Sequence, residues 1–180
     1  DSGVPHWGVM SHEIAHNHFG ELQYLNEVLC DWENANSKAI AYCEGMTTIT
    51  ALASRKAILE SANHDGLPAI VTDAWMDPNV YDSFPFSRQI YVDGALAAYM
   101  SAGANYAQDF TADVLDGIIY LLTDDYGWGL LKRFFSIFNP PDEGLGFVAD
   151  NETKRATFFV AAMSAAADDA LRGPFRVWGC

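Results

Sequence analysis

The chain has 180 residues, half of them hydrophobic, which is enough to bury one sizeable core, and it lacks the run of about 18 or more apolar residues that marks a membrane span. Lys and Arg number 10 against 24 Asp and Glu, a formal net charge of −14. So acidic a balance argues against binding nucleic acid or anionic lipid by electrostatics, and favours a secreted, acid-tolerant or cationic-substrate setting.

In chain order, the first predicted element is a helix over residues 4–19. Pro5 suits its first turn and Gly20 its stop, and Trp7, Met10, Ile14 and Ala15 can line a buried face. Inside it stands His12-Glu13-Ile14-Ala15-His16, an HExxH segment. A spacing of four stacks the two imidazoles on one face, roughly 6 Å apart, with the glutamate near the same pocket. Two neutral imidazole nitrogens can hold Zn2+, and the neighbouring carboxylate can accept a proton from water that the ion polarises. His6 lies more than a turn before His12, and His18 projects from another face, so both read as surface or supporting groups. Asn17 adjoins His16 and is placed to orient it.

A zinc site of this kind needs a third protein ligand, and two glutamates compete for the place. The second predicted helix begins near residue 37 and runs to about 62, with Ile40, Cys43, Thr47 and Thr50 or Ala51 tracing its inner stripe. Glu44 borders that stripe, where a carboxylate is costly to bury unless it is paired or bound to metal. Thr48, one turn on, is placed to orient it. Glu27 is the rival. An unbroken helix would carry it about 16 Å beyond His16, so only a tight reversal near Gly20 brings it back. Glu44 is preferred and Glu27 retained as the alternative.

Residues 63–88 contain Gly66, Pro68, Pro78 and Pro85 and read as irregular, with His64 beside the turn pair Asp65-Gly66. The aromatic residues Trp75, Tyr81, Phe84 and Phe86 either wall a cleft or pack over the core. Helical spacing returns over residues 91–101, 109–123, 128–138 and 152–167. In the last of these, Phe158, Phe159 and Met163 supply bulk and the alanines from 161 to 167 allow close helix contact, so it reads as bundle core. The fold class is therefore mainly α, a single helical domain over residues 1–180.

Three cysteines suit an oxidising compartment, with Cys30 and Cys43 able to staple the insertion between the two ligand helices and Cys180 left over. Asn151-Glu152-Thr153 is a glycosylation sequon. The first helix begins within a few residues of the start, without an initiator methionine or signal peptide, so the expectation is part of a larger or processed protein. Without that neighbour, the chain is expected to expose an apolar helix face.

The segment His12-Glu13-Ile14-Ala15-His16-Asn17-His18-Phe19-Gly20 resembles the zinc helix of gluzincin metallopeptidases of the aminopeptidase N type, and Cys43-Glu44-Gly45 resembles their Asn-Glu-Gly third-ligand site. His18 stands where those enzymes carry tryptophan, Cys43 replaces asparagine, and the interval from His16 to Glu44 is longer than theirs. The His-Asn-His ending also resembles enhancin-like, mucin-degrading gluzincins, in which valine often follows the third glutamate, as Val28 follows Glu27. The resemblance implies the C-terminal-type helical lobe of such an enzyme, with the zinc helix at its N-terminal end and a small β-sheet upstream, in a missing domain or an N-terminal partner chain. It implies zinc held by His12, His16 and Glu44, Glu13 as general base, and a peptide or protein substrate. Tyr91-Val92-Asp93-Gly94-Ala95 resembles the segment that carries the tyrosine assisting the oxyanion, which makes Tyr91 the candidate for that role; Tyr81, Tyr99, Tyr106 and His64 lie in comparable regions. The other readings are a zinc-stabilised but inactive binding module and a metal-free helical interaction protein.

Overall fold

The computed structural model describes residues 7–30, 38–61, 69–81, 83–138 and 147–179, and among these the chain is mainly helical with no strand. His6, His64 and Cys180 lie outside the described residues. The first helix, α1 (Trp7–Glu21), carries the HExxH segment and is followed at once by α2 (Gln23–Leu29). Next comes α3 (Lys38–Glu60), tied to the end of α2 by the Cys30–Cys43 disulfide, whose Cα atoms stand 5.3 Å apart. The expected staple is present, and it lands one residue before Glu44.

The aromatic stretch after α3 departs from the sequence expectation. It is not irregular throughout: α4 (Ala69–Met76) and α5 (Phe84–Arg88) lie within it. Pro85, read as a break, sits in the first turn of α5, where its missing N–H costs nothing, and Ser83 Oγ accepts from the Phe86 N–H at 3.2 Å. The helix then runs on without a stop as a π-helical segment, Gln89–Leu96, and as α6 (Ala97–Ser101). The helix expected to start at Tyr91 is thus the middle of a longer one. Trp75 and Phe84 are buried, whereas Tyr81 is exposed, so these aromatics divide between core and cleft.

A short α7 (Tyr106–Asp109) precedes α8 (Ala112–Tyr126), which begins three residues later than its apolar spacing predicts. The Thr111 hydroxyl caps it by accepting from the Val114 N–H, and Gly127 ends it with φ +72°. Then follow α9 (Gly129–Ser136), α10 (Glu152–Ala167) and α11 (Arg172–Val177). Asn151 caps α10, its side chain accepting from the Lys154 N–H at 3.0 Å. As expected of core, Phe158, Phe159 and Met163 are buried.

The bundle is organised around α3 and α8. Helix α8 packs against α3 on one side and the π-helical segment on the other, α1 lies on α3, and α9 packs on α10. Tyr42, Met46, Ile49, Leu115, Ile118 and Phe134 are almost wholly buried between them, each contributing about 1.5–3 kcal/mol. Two glycines permit the close approach of α8. A Cβ at Gly45 would lie 3.0 Å from Leu115 Cδ2 and 3.1 Å from Asp116 Oδ1. A Cβ at Gly117 would overlap the Tyr91 carbonyl oxygen and come within 2.8 Å of Leu96 Cβ.

Helix α1 presents the opposite of its expected apolar face. Ala15 is buried, but Met10 and Ile14 are 55% and 65% exposed, alongside Val9. The reason is geometric. Met10 and Ile14 each stand two residues from His12, about 200° around the helix, and α1 turns His12, Ala15 and His16 toward α3 instead.

Candidate metal centre

The site is assembled by two helices crossing at their polar positions. On α1, His12 and His16 are one turn apart, with ring centroids 4.6 Å from each other and planes at 88°. On α3, Glu44 places Oε2 3.3 Å from His12 Nε2 and 3.6 Å from His16 Nε2. Those separations match a shared ion. Two atoms each 2.0–2.1 Å from a tetrahedral zinc stand about 3.3–3.4 Å apart. Among the described residues, His12, His16 and Glu44 form the group of ligand atoms that could hold a metal, all within 4.8 Å of one another.

The next turn of α3 orients the imidazoles. Thr47 Oγ1 lies 3.2 Å from His16 Nδ1, and Thr48 Oγ1 lies 3.2 Å from His12 Nδ1. The Thr47 hydroxyl also donates to the Cys43 carbonyl at 2.8 Å, which commits its only hydrogen. Its oxygen therefore accepts from His16 Nδ1–H, leaving the Nε2 lone pair facing the Glu44 carboxylate. With His16 neutral, a cation shared between its Nε2 and the Glu44 carboxylate, 3.6 Å apart, would join them, and a hydroxyl held on the other ring nitrogen is the support typical of a metal-binding histidine. The donor set, the spacing and the tautomer all fit zinc.

The remaining predicted site residues share one cleft. A cavity of about 340 Å³ opens over the cluster, bordered by His12, Glu13, Glu44, Tyr81, Tyr91 and Asp116 among others. Glu13 is exposed there, and Tyr91 is carried into the wall by the π-helical segment, a local geometry that often marks functional positions. The ligand side chains retain between a quarter and about a third of their exposure, so water and small molecules reach them. Glu27 stands apart: it is exposed on α2 and does not join the cluster. Of the comparable tyrosines, Tyr99 is buried with its hydroxyl donating to the Trp178 carbonyl at 3.0 Å, and Tyr106 shares a hydrogen bond with Tyr42 at 3.1 Å.

Two supporting assignments from sequence are corrected. Asn17 does not orient His16; its amide donates to the Glu13 carbonyl at 3.2 Å on the exposed side of α1. Thr48 serves His12 on the neighbouring helix, because the α1–α3 crossing brings that imidazole closer than helical spacing within α3 alone conveys. His18 is a surface group in edge contact with Phe135 at 5.7 Å.

Sequence reasoning missed the supporting role of Thr47, and it missed Asp116. The Asp116 side chain is 1% exposed, lines the cavity, and has one carboxylate oxygen, Oδ1, without a hydrogen-bond partner among the described residues. Burial pushes its carboxyl well above the usual carboxylate range, with repulsion from Asp113 and Glu44 adding to it. A signal was available. Asp116 is the one charged residue in the otherwise apolar run 114–122. Comparison with protein-family profiles, with curated proteins and with solved structures finds no match for this chain.

Proposed function

We propose that the chain is a zinc-dependent peptide hydrolase of the gluzincin type and supplies the helical lobe that carries the zinc ligands. The observation that supports this reading most is the convergence of His12, His16 and Glu44 at the separations of a tetrahedral zinc site, with Glu13 and Tyr91 bordering the same cleft. Bound there, zinc would supply the Lewis acidity that polarises a water and the scissile carbonyl. His12, His16 and Glu44 would hold the ion, with Thr47 and Thr48 orienting the imidazoles. Glu13 takes the proton of the attacking water and delivers it to the departing amine. Tyr91 donates a hydrogen bond to the developing oxyanion. The Cys30–Cys43 disulfide supports placing the protein in an oxidising, extracellular compartment. On the same reading, Val9, Met10 and Ile14 are the face that the upstream sheet of gluzincins covers.

The test pairs two variants. Glu13→Gln is expected to keep zinc and lower kcat/KM for a peptide library about 100-fold or more, whereas Glu44→Ala is expected to lose zinc. Undiminished cleavage by Glu13→Gln would remove the mechanism, and full zinc in Glu44→Ala with loss in Glu27→Ala would move the third ligand to α2.

A further inference from the structure

The disulfide and the candidate metal centre meet on adjacent residues. Cys43 stands immediately before Glu44 on α3, and its carbonyl accepts from the Thr47 hydroxyl at 2.8 Å, the same hydroxyl that meets His16 Nδ1. At the other end of the bond Cys30 closes α2, its N–H donating to the Asn26 carbonyl at 2.8 Å. Only Leu22 separates α2 from α1, the helix that carries His12 and His16. The Cys30–Cys43 bond, with a sequence separation of 13, therefore gives a second and shorter covalent route from the two histidines to Glu44.

The ends of that route are anchored unequally. Glu44 lies between Tyr42 and Met46, both almost wholly buried, so the core keeps that part of α3 in place. Of the described side chains of α1 only Ala15 is buried, so α1 takes its position largely from α2. Helix α2 has seven residues and sets Leu25, Val28 and Leu29 in the core, and the bond at Cys30 pins its end to residue 43. An ion between the histidines and Glu44 would close the helix crossing from the α1 side, as the disulfide closes it from the α2 side. Two constraints on one crossing assist each other, because each removes part of the entropy that the other would otherwise have to remove.

We propose that Cys30 and Cys43 are positioning residues for the metal centre, so that tight zinc binding requires the oxidised pair. The bond forms by thiol–disulfide exchange: two cysteine thiols give two electrons and two protons to a disulfide of the compartment, which leaves as two thiols. A chain that folds in a reducing compartment then carries the same three ligands at lower affinity, and oxidation becomes a condition of metal loading. The proposal rests on the zinc part of the function proposed above and does not require turnover.

The test compares the zinc affinity of the oxidised protein with that of Cys30→Ala/Cys43→Ala, by competition with a chromophoric chelator and with circular dichroism as the check on folding. The folded double variant is expected to bind zinc about fivefold or more weakly. A bond that serves stability alone would lower the unfolding midpoint and leave the affinity of the folded protein unchanged, and that result overturns the proposal. If the double variant does not fold, the reciprocal measurement in the native sequence decides. In glutathione redox buffers at fixed free zinc, the disulfide is expected to be harder to reduce with zinc than without, by about 30 mV for each tenfold of affinity, and Glu44→Ala is expected to lose that shift. No shift in the native sequence, or a shift toward the thiols, overturns the proposal. An oxidised protein that binds no zinc overturns the zinc reading as well, whereas zinc bound equally with and without the bond overturns this proposal alone.

Discussion

Replacing Thr47 by valine tests the histidine support most directly. The hydroxyl is fully buried, donates to the Cys43 carbonyl at 2.8 Å and accepts from His16 Nδ1–H at 3.2 Å. Valine fills nearly the same volume and keeps the branched shape, so the helix is expected to survive with a loss of about 1 kcal/mol. What it cannot do is accept. Removing that acceptor lets the ring rotate or change tautomer, and lost supports of this kind cost about 10- to 100-fold in metal affinity. Thr47→Val should therefore weaken zinc by that factor, while Thr47→Ser, which keeps the oxygen, should stay within about threefold because it loses only a methyl contact. Affinity is read by competition with a chromophoric chelator, with circular dichroism as the check on folding. Unchanged zinc affinity in a folded Thr47→Val protein would refute the tautomer argument, since the structure would then have no use for a hydroxyl whose hydrogen is already spent.

Gly117→Ala should disturb Tyr91 before it disturbs the metal. The added methyl overlaps the Tyr91 carbonyl oxygen, so the π-helical segment must shift, at a cost of about 1–3 kcal/mol in thermal or denaturant unfolding; peptide turnover should fall while zinc content holds, and equal loss of both would argue against this division. Tyr120 predicts an alkaline dependence. Its hydroxyl donates to the Phe84 carbonyl at 3.1 Å, and burial pushes the phenol from 10.0 up to about 12, opposed by Arg88 and Arg55 and aided by Asp124. The folded protein then holds this proton more tightly than the unfolded chain, so the contribution is complete below pH 10 and is lost as the pH rises toward 12. The loss is about 2 to 3 kcal/mol at most, and it should be absent from Tyr120→Phe in denaturant titrations compared across that range.

How much of this was legible in the sequence depended on whether the information was local. The HExxH spacing, the amphipathic stripe of α3 and the cysteine pair are local or periodic, and the helices and the disulfide follow them. Which face of α1 turns inward was not local. Met10 and Ile14 are apolar and score as core by composition, but the histidines decide the docking because α3 offers them a carboxylate and two hydroxyls. The proline-rich stretch failed for a related reason. Pro85 has the same residue identity in a loop and in a first helical turn, and the Ser83 cap that distinguishes the two is seen only with its bond to the Phe86 N–H. Asp116 was missed although it is the one charged residue in the run 114–122, because only the packing of α8 on α3 beside Gly45 shows that it is buried.

The α1 face also says what holds that helix in place. Among its described side chains only Ala15 is buried, whereas Val9, Met10 and Ile14 point to solvent, so these three contribute little apolar burial against α3. The polar cluster must do more. His12 and His16 meet Glu44, Thr47 and Thr48 across the helix crossing. An ion bound there would tie α1 to α3, because ligands from both helices close on one centre. Helix α3, by contrast, is fixed independently by the disulfide at Cys43 and by Tyr42, Met46 and Ile49 in the core. The site is thus built as a rigid half, Glu44 with the two threonines, to which a bound metal would secure the histidine half.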